Sequence, residues 1–393
     1  MDVSALKQAA WDEIRAREEV FRVLALEILE HPELGYRERR ASRRLSESLA
    51  EAGLEVDRPY GGLETAFRGR RTAGDGPAVY FLAEYDALPE IGHGCGHNLI
   101  GPAAALAAAG AAAVLDELGG TVGVIGTPAE EYAGEEEGKV KLLDAGAFEH
   151  VDIALMLHPY SAYQLLGSDL GFIACNLHYR GKTAHAAADP WAGRNALDGL
   201  LAAFQGLNAL RGAVPPDVRI HGVITDGGRV PNVIPEYAAG QFMVRAADPG
   251  TLHEVYERFC ACARAGAEAT GTEVEIERIT TVYNTRPNPA LAGLIEDHFQ
   301  QRGLDYQKEP YRMSASSDFG NVSQRLPAAM FFIASHPEGL TWHTRQVAEA
   351  AGEERALRAM VEGACVLAGA AVELLADPGL VQQVRKDFER YER

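Results

Sequence analysis

Three short strings hold the residue types that metal-assisted hydrolysis needs. The first, Ile91-Gly92-His93-Gly94-Cys95-Gly96-His97-Asn98, sets a cysteine and a histidine two apart on a glycine-rich backbone. Such a backbone bends freely enough to turn a thiolate and an imidazole toward one ion, although the pair alone also describes a plain loop. The second, Thr127-Pro128-Ala129-Glu130-Glu131, offers two adjacent carboxylates. One can bind a metal while its neighbour takes a proton from water. Because Glu135, Glu136 and Glu137 follow, the same string alone also reads as a solvated acidic loop. The third, Leu155-Met156-Leu157-His158-Pro159, closes an apolar run with a histidine that backbone groups can equally satisfy. A further histidine, His343 in Leu340-Thr341-Trp342-His343-Thr344, competes with His336 for a similar role. A Cys/His/Glu set mixes soft and hard donors, which suits zinc, tolerates manganese, cobalt or nickel, and does not suit calcium or magnesium.

Something must bring these strings together, and the pattern around them supplies it. Residues 78–82, 121–126 and 153–157 are short apolar runs suited to buried strands, alternating with helical stretches at 99–118 and 138–146. Strands and helices alternating in units of about 30 residues predict an α/β fold with a mainly parallel sheet flanked by helices. Sites in such sheets lie at the carboxyl ends of the strands, where Cys95 with His97, Glu130 with Glu131, and His158 all fall. The pattern changes after about residue 170 to strand, helix, two strands, helix, strand, the ferredoxin-like order. It predicts an inserted α+β domain over 170–286, while 1–169 and 287–393 form the metal-binding catalytic domain.

A chain of 393 residues with 47% hydrophobic and 24% charged residues has ample core for two domains. Its formal net charge of −19 argues against nucleic acid as a partner, because phosphate binding needs a basic face. The first 30 residues carry charges every few positions, as a surface helix does and a signal peptide does not. The apolar stretch 99–115 is too short and too rich in alanine for a membrane span, so a buried helix and a soluble protein are expected. Five scattered cysteines show no disulfide spacing, in keeping with a reducing cytoplasm.

Six strings carry a resemblance as well: AEYDALP at 83–89, GHGCGHN at 92–98, PAEE at 128–131, GKTAHAA at 181–187, NVIP at 232–235 and SSDFGNVS at 316–323. In order and through nearly the whole chain they resemble the aminoacylase and carboxypeptidase-G superfamily of metallopeptidases. Within its amidohydrolase branch they resemble aminobenzoyl-glutamate and auxin-conjugate hydrolases, and most of all the Xaa-Arg and β-alanyl-lysine dipeptidase-like group. Many members of the branch carry Asp where this chain has Glu84 and Asn98, and the dipeptidase-like group shares both substitutions.

The resemblance implies metal ligands at Cys95, His97, Glu131, His158 and His343, with Glu130 as general base. It also makes the inserted domain a lid or dimerisation domain whose His185 supports the oxyanion, often across a homodimer interface. Asp86 is expected to orient a ligand, as carboxylates behind metal sites do. Asn232 and Arg245 in the lid offer a clamp for a substrate carboxylate, with a surface strand end as the equal alternative for Arg245. The expected reaction is hydrolysis of the amide in a small N-acyl amino acid or dipeptide by water that one or two divalent ions activate. Alternatives are a peptidase on longer chains, a non-catalytic metal-binding protein of the same fold, and a cysteine hydrolase using Cys95 and His97.

Overall fold

The computed structural model describes residues 2–131 and 134–390. Its larger sheet has eight strands in the spatial order Glu55–Asp57, Phe67–Ala73, Gly120–Gly126, Ala78–Ala83, Ile153–Tyr160, Ala328–Ala334, Tyr163–Ser168 and Tyr306–Arg312. The middle of the sheet is parallel: Ala78–Ala83 pairs with both Gly120–Gly126 and Ile153–Tyr160, and the latter pairs with Ala328–Ala334. These strands are nearly continuous apolar runs because both faces are covered. Antiparallel pairings at Glu55–Asp57, Phe67–Ala73 and Tyr163–Ser168 extend the sheet outward.

The helix His97–Ala112 is buried along its whole length, packed on the sheet and against the helices Val3–Glu30 and Glu354–Ala376. Its alanines and glycines allow that closeness. A Cβ at Gly110 would lie 2.7 Å from the Ile14 side chain. Glu354–Ala376 is long and apolar enough to cross a membrane, and most of it is buried in this core. All five cysteines are free.

The second sheet contains Glu273–Val282, Gly171–Arg180, Tyr237–Ala246 and Arg219–Asp226 in that spatial order, all antiparallel. Strand, helix, two strands, helix, strand in sequence, with the first and last strands at the centre and one edge, is the ferredoxin-like topology. Helices Ala196–Arg211 and Pro249–Thr270 cover one face and close a separate core around Leu177, Tyr179, Phe242 and Phe259. The opposite face, with Phe172, Ala174 and Met243, looks toward the larger domain. Where the chain enters and leaves this lid, the buried Asp169 accepts from the Thr285 hydroxyl at 2.7 Å and from its N–H.

Two local expectations change. The helix expected over 99–118 ends at Ala112, followed by a separate turn of helix at Leu115–Leu118. The strand carrying His158 continues to Tyr160 because Ala328–Ala334 pairs with it throughout, so His158 lies inside the strand rather than at its end.

Candidate active site

Three loops that follow parallel strands, and the later part of a fourth strand, converge on one crevice. Ala78–Ala83 runs directly into Glu84, Tyr85 and Asp86, and the following loop returns with Cys95 and His97. Gly96 between them has φ 76°, and a Cβ there would press on Pro159 at 2.9 Å, so glycine lets the chain turn sharply into the helix beginning at His97. Gly120–Gly126 leads to Glu130 and Glu131, Ile153–Tyr160 carries His158, and the loop after Ala328–Ala334 brings His343. The His343 N–H donates to the Gly94 carbonyl at 3.0 Å, tying that loop to the cysteine loop.

The donor atoms form two overlapping triads, Cys95 with His97 and His158, and Cys95 with Glu131 and His343, each with its atoms within 4.8 Å of one another. Two further groups overlap them, His97 with Glu130 and Glu131, and Glu84 with Glu130 and Asp318. His97 presents Nε2 to the crevice, 3.9 Å from Glu131 Oε1 and 4.0 Å from Glu130 Oε2. Its Nδ1 bonds Asp86 Oδ1 at 2.9 Å, while Asp86 Oδ2 accepts the Glu131 N–H at 2.8 Å. One buried carboxylate therefore orients two of the donors, the usual arrangement behind metal-binding histidines. His158 Nδ1 is likewise taken by the Pro159 carbonyl at 2.9 Å, which leaves its Nε2 as the acceptor.

Buried polar atoms are normally paired, yet His97 Nε2, Glu131 Oε1 and Glu84 Oε2 have no hydrogen-bond partner among the described residues. Unsatisfied imidazole and carboxylate atoms converging beside the Cys95 thiol fit divalent cations. Burial works against a charge on His97, but Glu84, Asp86 and Glu131 hold its pKa well above the ordinary value, a proton that a bound cation would displace. Burial pushes the Cys95 thiol well above its ordinary value, with Glu131 and Glu130 adding to it. A protonated thiol is the opposite of what a cysteine nucleophile requires and is what a bound cation would reverse. Burial, then Glu84 and Glu131, also hold Glu130 well above the carboxylate range. Burial acts to raise Glu131 too, but the hydrogen bond from His343 and the charge of His97 bring it down to about 2.

Comparison with known proteins places this geometry. The model of peptidase family M20/M25/M40 matches residues 80–373. The chain belongs to that family. It is 36% identical to the Xaa-Arg dipeptidase of Mus musculus over 99% of this chain and 93% of the relative. It is 28% identical to a p-aminobenzoyl-glutamate hydrolase subunit of Escherichia coli strain K12, over 96% of this chain and 94% of that one. A solved Bacillus subtilis structure, described as a dinuclear metal-binding peptidase from the M20 family, superposes with a TM-score of 0.68 at 20% identity. The match covers 92% of this chain and 99% of that one. As an M20 family member the chain is a metal-dependent amidohydrolase acting on small amides or dipeptides.

In this M20 chain the crevice opens into a cavity of about 340 Å³ between the catalytic domain and the lid. Cys95, Glu130, Glu131, His158 and His343 line it, and the lid contributes Arg245. The Arg245 guanidinium lies over the Phe172 ring, 5.1 Å from its centroid, and donates to Ser316 Oγ at 2.8 Å. Among the described residues it has no carboxylate partner, and burial alone lowers its pKa. Arg245 thus lies on the strand Tyr237–Ala246 and lines the cavity.

His185 and Asn232 are exposed on the lid and line neither the cavity nor the donor cluster of their own chain. They lie side by side, since the His185 backbone bridges Val233 and the Ala186 N–H donates to the Asn232 carbonyl at 3.0 Å. His336 is buried with Nδ1 against the Pro337 carbonyl and belongs to no donor group among the described residues, whereas His343 does.

Residues with no assigned chemistry complete the site. Lys139 is fully buried and donates to Glu84 Oε1 at 2.6 Å and to Asp318 Oδ1 at 2.5 Å. Burial works against its charge, but Asp318, Glu84 and Glu130 hold it above the ordinary lysine value. The lysine thus neutralises acids gathered immediately behind the donor cluster.

Proposed function

We propose that this chain cleaves small N-acyl amino acids or dipeptides that present a free carboxylate beside the scissile amide, with a basic leaving residue preferred. Arg245 carries the reading: a guanidinium without a carboxylate partner among the described residues faces the same cavity as the donor cluster. A carboxylate-bearing substrate would supply that partner in a forked pair. Glu137, which takes the Thr280 hydroxyl and is pushed up to about 7 by burial, lines the same cavity with no cationic partner among the described residues, and a cationic group on the ligand would favour its ionised form. The Xaa-Arg dipeptidase relative supports the same substrate class.

In this reading Cys95, His97, Glu131, His158 and His343 hold two divalent ions, with zinc favoured by the thiolate. When bound, such ions polarise the scissile carbonyl and make water a stronger nucleophile at neutral pH. Glu130 takes the proton of the attacking water and hands it to the leaving amine. Asp86 fixes the His97 tautomer and the Glu131 backbone. His185 accepts from the Ala187 and Ala188 N–H groups at Nδ1, at 3.2 and 3.1 Å, so its proton sits on Nε2, poised to donate to a developing oxyanion. As it stands clear of its own crevice, we assign it to the active site of a second copy in a cytoplasmic homodimer. The lid edge strand Arg219–Asp226 with exposed Val223 and Ile224, and exposed Trp191, Val230 and Val233, support that pairing.

A substrate panel with elemental analysis tests the proposal. Xaa-Arg and Xaa-Lys dipeptides should be cut faster than Xaa-Leu and N-acetyl amino acids, and their carboxamides more slowly than the free acids. Arg245→Met should erase the difference between acid and carboxamide, and chelation should abolish turnover until ions are returned. Equal turnover of acids and carboxamides defeats the carboxylate clamp, and full activity in the metal-free protein defeats the metal assignment.

A further inference from the structure

The turn that ends the N-terminal helix reaches both loops that build the crevice. Ala87, next to Asp86, donates its N–H to the Glu33 carbonyl at 2.9 Å, and Leu34 bridges the same residue. Four positions further on, the fully buried Glu38 accepts at Oε1 from the Ala129 N–H at 2.9 Å and from the Tyr36 N–H at 2.9 Å. The Tyr36 hydroxyl donates to the Glu136 carbonyl, near the other end of the loop that begins at Ala129. The two ends of that loop are pressed together, since a Cβ at Gly138 would fall 1.7 Å from the Pro128 carbonyl oxygen.

Glu38 stands where a side chain usually caps its own helix, yet its carboxylate makes no cap for Arg39–Glu51. Glu33 does that work, accepting from the Arg40 and Ala41 N–H groups at 2.9 Å. Glu38 is thereby free to reach Ala129. Ala129 has φ 59°, a left-handed conformation that alanine holds only when its surroundings enforce it. The next residue is Glu130.

We propose that Glu38 is a positioning residue: its buried carboxylate, by accepting the Ala129 N–H, locks the left-handed bend that aims Glu130 into the crevice. The side chain suits the task because a carboxyl oxygen carries two acceptor lone pairs, so one oxygen can receive two converging N–H groups. The proposal rests on the reading of Glu130 as the base.

The experiment compares Glu38→Ala, Glu38→Gln and Glu38→Asp, with Ala129→Gly added to Glu38→Ala, in the ion-loaded full chain. Glu38→Ala should lower kcat by about tenfold to a hundredfold, the scale of a misplaced catalytic group, with KM and ion content little changed. Hydrogen exchange in the peptide spanning 126–131 should quicken. Glu38→Gln, which keeps an acceptor oxygen, should recover most of the loss, and so should Ala129→Gly, because glycine adopts the left-handed bend unaided. Unchanged kcat and exchange in Glu38→Ala overturn the proposal, as does loss of ions and kcat together without recovery from Ala129→Gly. If Glu38→Ala does not fold, Glu38→Asp, whose acceptor is drawn back by one methylene, decides by the same criteria. Full activity in Glu130→Gln would instead defeat the base assignment, leaving hydrogen exchange to judge the bend by itself.

Discussion

Glu130 and Glu131 are the same side chain in neighbouring positions, and their surroundings drive them apart. Burial, then Glu84 and Glu131, hold Glu130 toward its neutral form until cations beside it favour the carboxylate that a base requires, whereas Glu131, which receives His343 at 3.3 Å, is held ionised. Two like groups pushed in opposite directions are the usual mark of divided labour at a site. The expectation is that Glu130→Gln keeps its ions and loses about two to four orders of magnitude in kcat, the usual worth of a general base. Glu131→Gln should lose ions and activity together. Elemental analysis beside steady-state rates checks both, and ion loss in the first variant with retention in the second reverses the roles. The strings holding the donor side chains could be picked out in sequence, but each alone also read as an ordinary loop or strand end, and the ligand set came from the family resemblance; the structure brings these donor atoms together. Glu38 could not be picked out: its partner Ala129 lies 91 positions away, and nothing near Glu38 distinguishes it from the charged surface of an ordinary helix start.

Elements place those residues, and the parallel centre of the sheet was readable because its strands are short apolar runs separated by helices. The outer strands were not. Phe67–Ala73 and Tyr306–Arg312, with sequences FRGRRTA and YQKEPYR, are polar and partly exposed, so no hydrophobic run marks them. Lys139 was hidden for a related reason, as a lysine near a helix start reads as surface until Glu84 and Asp318 arrive from a strand end and a distant loop. The triad joins three elements with no solvent exposure, so removing only its cation strands two buried acids. Lys139→Met should cost about 3–5 kcal/mol, the scale for breaking a buried ion pair by deleting one partner. Neutralising all three together, as Glu84→Gln, Lys139→Met and Asp318→Asn, should return much of it. Denaturant unfolding of the two proteins measures this, and a Lys139→Met midpoint equal to that of the parent would show that the triad contributes nothing to stability.

At the scale of the whole molecule, the lid closes the cavity with Arg245 while holding His185 and Asn232 away from it. The cavity wall and the segment carrying His185 therefore both bear on catalysis only if that segment meets another active site. A ferredoxin-like sheet ends in an edge strand, here Arg219–Asp226, whose unpaired backbone groups and exposed Val223 and Ile224 suit pairing with the same strand of a second copy. An edge-to-edge pair would carry each lid beyond its own catalytic domain, which gives His185 a route to the partner's crevice. Subunit mixing tests this with two proteins that are each inactive. Glu130→Gln supplies intact His185 and no base, and His185→Ala supplies the base and no oxyanion donor. If His185 acts in trans, exchanged heterodimers contain one complete site, so activity should return toward about half of the parent's per complete heterodimer, by simple counting of sites in a two-fold pair. Tagged subunits recovered together establish that exchange took place. No recovery in a mixture shown to have exchanged puts His185 in its own chain's site or removes it from catalysis, and a monomer at assay concentration by sedimentation would remove the partner altogether.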